Sequence, residues 1–173
     1  LSGMEEELTK RRVSVLLGGL VVHGRYDSST VQSWITERRV DGLVFARYTR
    51  RERDLLSSAR QAQIPMTFIC PDETEDLGFV ARCRNFEAGR AVGQHLAELG
   101  HRRVAFVGGP EASIDAQDRL RGLKGALDEV GVSMRPDDVS FGPSYESEAG
   151  AQAAREYLRR GVANRPTASV VGK

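Results

Sequence analysis

Short apolar runs recur along this chain, each separated from the next by about one helix's length, and that rhythm restricts the fold more than any other feature. VDGLVFA (40–46), IPMTFIC (64–70), RVAFVG (103–108) and PTASVVG (166–172) are continuous apolar runs, not alternating ones. Strands covered on both faces read this way, and such strands belong to parallel sheets flanked by helices. The intervening stretches carry three-and-four spacing. Val31, Trp34, Ile35 and Arg38 share one face, and Leu55, Leu56, Ala59 and Ala62 line a helix over 50–63. Ala88, Val92, Leu96 and Leu99 do so over 86–99, and Leu120, Leu123, Leu127 and Val130 over 116–130. A last helix over 146–160 turns Ala149, Ala153 and either Tyr157 or Leu158 inward. A helix over 4–12, a strand VSVLLGG (13–19), a short strand FVARC (79–83) and a turn with a short strand in RPDDVSFG (135–142) complete the expectation. Repeated strand–helix–strand units define an α/β fold.

The rhythm breaks once, near 71–85, where the acidic loop PDETEDLG leads into FVARC. This joint divides the chain into an N-terminal lobe, 1–83, and a C-terminal lobe, 84–173. An α/β lobe that opens on a helix and another that stops just after a strand leave sheet edges uncovered. The expectation is a portion of a longer protein, with the first strand of the first lobe outside it.

Composition excludes several function classes. Twenty-five Lys and Arg against 24 Asp and Glu leave a net charge of +1, which supplies no field for gripping a polyanion. The basic clusters TKRR (9–12), RYTRRER (47–53) and HRR (101–103) are dispersed and read as solvated faces. No run approaches the roughly 20 apolar residues of a membrane span, and no secretory h-region stands at the start. Cys70 and Cys83 read as reduced thiols of a cytoplasmic protein. With His23, His95 and His101 they give no metal spacing. Nucleophile elbow, zincin helix, phosphate loop and dinucleotide fingerprint are all missing. Neither an enzyme nor a cofactor is expected.

Ligand binding fares better. In open α/β sheets ligands collect outside the carboxyl ends of the strands. The loop after RVAFVG is GPEASIDAQD, which runs into a helix carrying Arg119 in its first turn. Gly108 and Gly109 permit close backbone approach, Ser113 and Asp115 offer short polar groups, and Arg119 offers a forked donor. A structural use stands beside this one, with Ser113 or Asp115 capping the helix and Arg119 pairing with Asp115 or Asp118. Tyr145 occupies the loop before the next helix, where it could stack on a ligand or cover the core edge. HRR falls at the exposed start of the strand, away from that end, and GGP opens the loop that shapes a wall.

Several stretches occur together in the order known from one family. RNFEAGRAVGQHLAELGHRRVAFVGGP (84–110), DRLRGLKGALDEVGV (118–132), YESEAGAQAAREYL (145–158) and RPTASVV (165–171), with VDGLVFA and IPMTFI before them, resemble the LacI/GalR family of bacterial transcription regulators. The resemblance implies a periplasmic-binding-protein-like effector domain with two Rossmann-like lobes and a small-molecule cleft between them. It also implies a homodimer, with operator DNA bound by a separate helix-turn-helix headpiece. The family's effector-binding arginine matches Arg119, and Ser113, Asp115, Asn85 and Tyr145 match other positions that meet effector. Where the family commonly has Asp-Asn, this chain has Arg84-Asn85, a base for an acid. That departure widens the expected effector from a sugar to other small polar metabolites, acidic ones included. A solute-binding receptor of the same fold, serving a transporter, is the alternative.

Overall fold

Parallel pairing organises both halves of the chain, as the continuous apolar runs require. The computed structural model describes residues 2–22, 25–46, 48–72, 77–145 and 147–172. They form two units, Leu1–Ala81 and Arg82–Lys173. In the first unit, β3 (Leu43–Ala46), β4 (Met66–Ile69) and β5 (Phe79–Ala81) form a parallel sheet in that order. The core under it is aromatic. Phe45 stacks on Phe68 at 5.1 Å between ring centroids, and Tyr48 meets Phe68 edge-on at 5.2 Å. Helices α2 (Ser29–Thr36) and α3 (Arg53–Gln61) bury Val31, Ile35, Leu55, Leu56 and Ala59 against these rings. A single turn before α3 is locked by a capping box. Thr49 Oγ1 accepts from the Arg51 amide at 3.3 Å, and the Glu52 carboxylate accepts from the Thr49 amide at 2.7 Å.

Several expectations for this unit need correction. VSVLLGG is not a strand: α1 (Ser2–Lys10) is followed by chain without regular secondary structure, and Val13, Leu16 and Leu17 are exposed. An apolar run becomes a strand only where a ladder partner lies alongside, and among the described residues none does. The pairing that forms is a two-residue hairpin, β1 (Val21–Val22) against β2 (Arg25–Tyr26); His23 lies outside the described residues. Arg38 follows α2 in a left-handed turn (φ 52°) and shares no helix face with Val31. Cys83 falls beyond β5 and is exposed, while Cys70 is partly buried; neither is in a disulfide.

In the second unit, β6 (Val104–Gly108) is the central strand of a parallel sheet ordered β7–β6–β8, with β7 at Val139–Phe141 and β8 at Ala168–Gly172. Every residue of β6 is buried. Its alternate side chains serve two cores, as strand geometry requires. Val104 and Phe106 pack with Leu120, Leu123 and Leu127 of α5 (Ile114–Asp128). Ala105 and Val107 pack with Ala153 and Tyr157 of α6 (Ser147–Arg159). Tyr157, not Leu158, is therefore the inward residue.

The expected stripe on α4 (Asn85–Glu98) holds only at Leu96, which packs on the core with Val104 and Phe106. The helix's buried residues are Asn85, Gly89 and Gly93, while Ala88, Val92 and Leu99 are exposed. The cause is the neighbour. A side chain added at Gly89 would lie 2.1 Å from the Arg119 carbonyl oxygen, and one at Gly122 would lie 2.0 Å from that of Phe86. A Cβ at Gly93 would come within 2.8 Å of Ala126. From Gly89 beside Arg119 to Gly93 beside Ala126, the two helices run in the same direction with their backbones in contact. Apolar size cannot mark such a face, because only glycine fits it. Gly100 and Gly131 close α4 and α5 with φ of 82° and 71°; Val130, one position before the second, is exposed.

Candidate functional site

The carboxyl ends of the second sheet come together in register. Gly108 is paired with Phe141 on one side and Gly172 on the other. Each strand end is shaped by a ring or by the absence of a side chain. A Cβ on Gly108 would meet the Phe141 ring at 2.7 Å, and one on Gly109 would meet the Tyr145 ring at 2.4 Å. GGP is thus the seat of two aromatic rings, and the loop it opens leads to the polar residues.

Pro110 starts the turn, its carbonyl accepting the Ser113 amide at 2.9 Å. Ser113 occupies the N-cap position of α5, but its hydroxyl makes no capping bond. The Tyr145 hydroxyl instead donates to Ser113 Oγ at 2.9 Å. Ser113 is only 3% exposed, so this bond satisfies a buried hydroxyl and ties the α5 entry to the loop before α6. Six positions further along, Arg119 Nε donates to Asn85 Oδ1 at 2.7 Å. Asn85, the first residue of α4, is 4% exposed. A Cβ on Gly172 would stand 3.7 Å from Arg119 Nη1, which places the guanidinium beside the end of β8.

Of the structural uses, Tyr145 packs on Gly109, whereas Ser113 makes no capping bond. Asp118 is paired with Arg121 at 2.9 Å. Asp115 is half-buried in the first turn of α5, and no hydrogen bond or ion pair to it occurs among the described residues. At i and i+4, Asp115 and Arg119 share one helix face. Arg119, Asn85, Ser113, Asp115 and Tyr145 thus all stand at the carboxyl end of one sheet. Arg84 is the N-cap residue of α4, exposed and without a capping bond from its side chain.

The opposite end of the sheet is bonded differently. His101 Nδ1 lies 2.9 Å from Thr167 Oγ1, and Arg103 Nε donates to the Arg165 carbonyl at 2.8 Å. Asp138 is buried there between two cations, at 2.9 Å from Arg135 Nε and 2.5 Å from Arg160 Nη1. Burial alone pushes its carboxyl up, but hydrogen bonds and charge from Arg135 and Arg160 win, and it sits below the usual carboxylate range. Burial pushes the Tyr157 phenol up. This cluster carries little mark in the sequence. Asp137-Asp138 before a strand looks like any surface pair, and only the three-residue spacing to Arg135 hinted at a partner. Among the described residues no group of His, Cys, Asp and Glu could hold a metal ion, and no helix is long and apolar enough to cross a membrane.

A forked cation, an adjacent carboxylate and an aromatic ring thus stand together at the strand ends of one α/β unit. Residues 1–172 match the family model described as periplasmic binding proteins and sugar binding domain of LacI family, and the chain belongs to that family. It is 28% identical over 173 residues to the maltose regulon regulatory protein MalI of Escherichia coli K12, covering 98% of this chain and 48% of that protein. A LacI family transcriptional regulator from Mycobacterium smegmatis superposes with a TM-score of 0.76 at 25% identity, covering 98% of this chain and 61% of that one. The transcriptional regulator CelR in complex with cellobiose superposes with a TM-score of 0.69, also at 25% identity, over 89% of this chain and 46% of that one. The chain thus spans about half the length of the curated relative it matches along nearly its whole length.

Proposed function

We propose that this chain is the effector-binding and dimerisation part of a LacI/GalR-type transcriptional regulator, acting in the cytoplasm and without catalysis. Its effector is a small polyhydroxylated molecule bound on the wall formed by Arg119, Asp115, Ser113 and Tyr145. One observation carries this reading: a guanidinium held in place by Asn85 stands one helical turn from a carboxylate with no partner among the described residues. A sugar hydroxyl both donates and accepts, so a cation and an anion side by side can satisfy neighbouring hydroxyls at once. Hydrogen bonds to charged groups contribute about 1.5–3 kcal/mol each. An acidic effector would set its own charge against Asp115, which argues against the ligand class that Arg84 alone would suggest. The ring of Tyr145 adds an apolar face of the kind sugars pack upon. The description of MalI and the cellobiose in the CelR complex support a sugar.

Regulation then follows from linkage. An effector that binds one arrangement of the homodimer better shifts the equilibrium toward it by that difference in affinity, and a separate helix-turn-helix headpiece reports the shift at the operator. A thermal-shift panel of neutral sugars, sugar acids and sugar phosphates tests the assignment. A neutral sugar at a hundred times its Kd is expected to stabilise the protein by about 2.7 kcal/mol, a shift of several degrees. Stabilisation by the acids and phosphates alone would contradict it.

A further inference from the structure

We propose that Asn85 serves the effector site as a positioning residue: its side-chain oxygen fixes the Arg119 guanidinium, and it does not itself meet the effector. This rests on the reading of Arg119 as an effector-binding residue. Asn85 is 4% exposed, and Oδ1 is engaged by Arg119 Nε at 2.7 Å. A long side chain with four rotatable bonds loses its freedom only when something holds it, and a buried acceptor at the Nε position sets the plane of the whole fork.

The backbone of Arg119 is fixed by a second contact. Its carbonyl lies so close to Gly89 that any Cβ there would stand 2.1 Å away. Gly89 is one turn along α4 from Asn85, so a single helix holds the arginine at both ends, main chain by Gly89 and guanidinium by Asn85. The neutral amide matters as well. It accepts from the guanidinium without cancelling its charge, which a carboxylate in the same place would do. Asparagine therefore places the guanidinium without itself neutralising its charge.

The test reads the guanidinium directly. Arginine-labelled protein is examined by NMR for side-chain Nε–Hε signals, with Arg119 assigned by its loss in Arg119→Lys. In the wild type this signal should be shifted and protected from exchange. Asn85→Ala should move it to the position of solvated arginines and remove the protection, and Asn85→Asp, which keeps an acceptor, should restore it. The Nε–Hε signals of Arg103, Arg135 and Arg165, which donate to other partners, should stay in place in both variants, separating a local loss of positioning from a general loss of structure. An unchanged Arg119 signal in Asn85→Ala overturns the proposal.

The functional half uses cellobiose and D-ribose as probes in calorimetry. Asn85→Ala should weaken the sugar that binds at least tenfold, yet add nothing in an Arg119→Ala background. Equal losses in both backgrounds would mean that Asn85 touches the effector on its own account and would overturn the proposal. Should neither sugar bind the wild type, these probes give no support to the sugar reading of the site, while the NMR signals still decide whether Asn85 sets the guanidinium.

Discussion

The first unit and the second solve the same problem with different materials. In residues 1–81 the sheet is held by rings, with Phe68 fully buried between Phe45 and Tyr48, and helices α2 and α3 lay aliphatic side chains on top. In residues 82–173 two helices touch through glycine, main chain against main chain, and α5 meets the sheet through Leu120, Leu123 and Leu127 packed on Val104 and Phe106 of β6. Side-chain packing can be filled by several combinations of similar volume. Backbone contact cannot, because nothing smaller than glycine exists to trade. The second unit carries the residues of the candidate site, and the rigid arrangement is the one that fixes Arg119. The comparison suggests that rigidity lies where a ligand must be recognised.

The comparison can be broken at its strongest point in each unit. Phe68→Ala should cost about 4 kcal/mol, read in denaturant by the fluorescence of Trp34, which packs on the same core. A cost below about 1 kcal/mol would remove the aromatic cluster from its place in that unit. Gly122→Ala should cost about 3 kcal/mol, at the upper end for overpacking, because the new methyl meets a carbonyl oxygen that cannot swing aside. Amide exchange along α4 and α5 would show it; an undisturbed pair of helices would refute the glycine seam.

Asp138→Ala should cost about 2–3 kcal/mol, since it leaves Arg160 and Arg135 facing a vacated site, though both arginines retain water that softens the loss. The sign with pH follows from the depressed carboxyl. Its folded value lies below its unfolded value of about 3.9. The stabilisation is therefore fully present above about pH 5, and it is lost as pH falls through the unfolded value toward the folded one. Urea titrations of the wild type should lose stability on acidification more steeply than those of Asp138→Asn. Parallel curves would count against the ion-paired cluster. The smallest effect is a gain. Gly125→Ala, in the same helix as Gly122 but with nothing within 4 Å of its added methyl, should stabilise by about 0.5–1 kcal/mol.

Most of the architecture was legible because hydrophobic period reports burial. The continuous runs VDGLVFA and RVAFVG became parallel strands, and Leu120, Leu123 and Leu127 turned inward as their spacing required. The failures share one cause. Period counts side chains, so it assigned Ala88, Val92 and Leu99 to the packed face of α4, whereas the packed face is Gly89 and Gly93, where there is no side chain to count. VSVLLGG failed in the complementary way, since apolar residues alone do not supply a ladder partner. For the site, the spacing of Ser113, Asp115 and Arg119 placed three groups on one helix start. The bonds that give them meaning span 32 and 34 positions in the chain, Tyr145 to Ser113 and Arg119 to Asn85. The first exists only once the loop before α6 folds against the α5 entry, and the second only once α4 and α5 lie side by side.

The central claim is that Arg119 is the cation of an effector site at the carboxyl end of the second sheet. The most direct measurement is calorimetric titration of the wild-type protein and of Arg119→Ala with the sugar that gives the largest thermal shift. The account predicts saturable binding in the wild type and at least a hundredfold loss in the variant, with the melting temperature without ligand changed by no more than a few degrees. Equal affinity in the two proteins would contradict it.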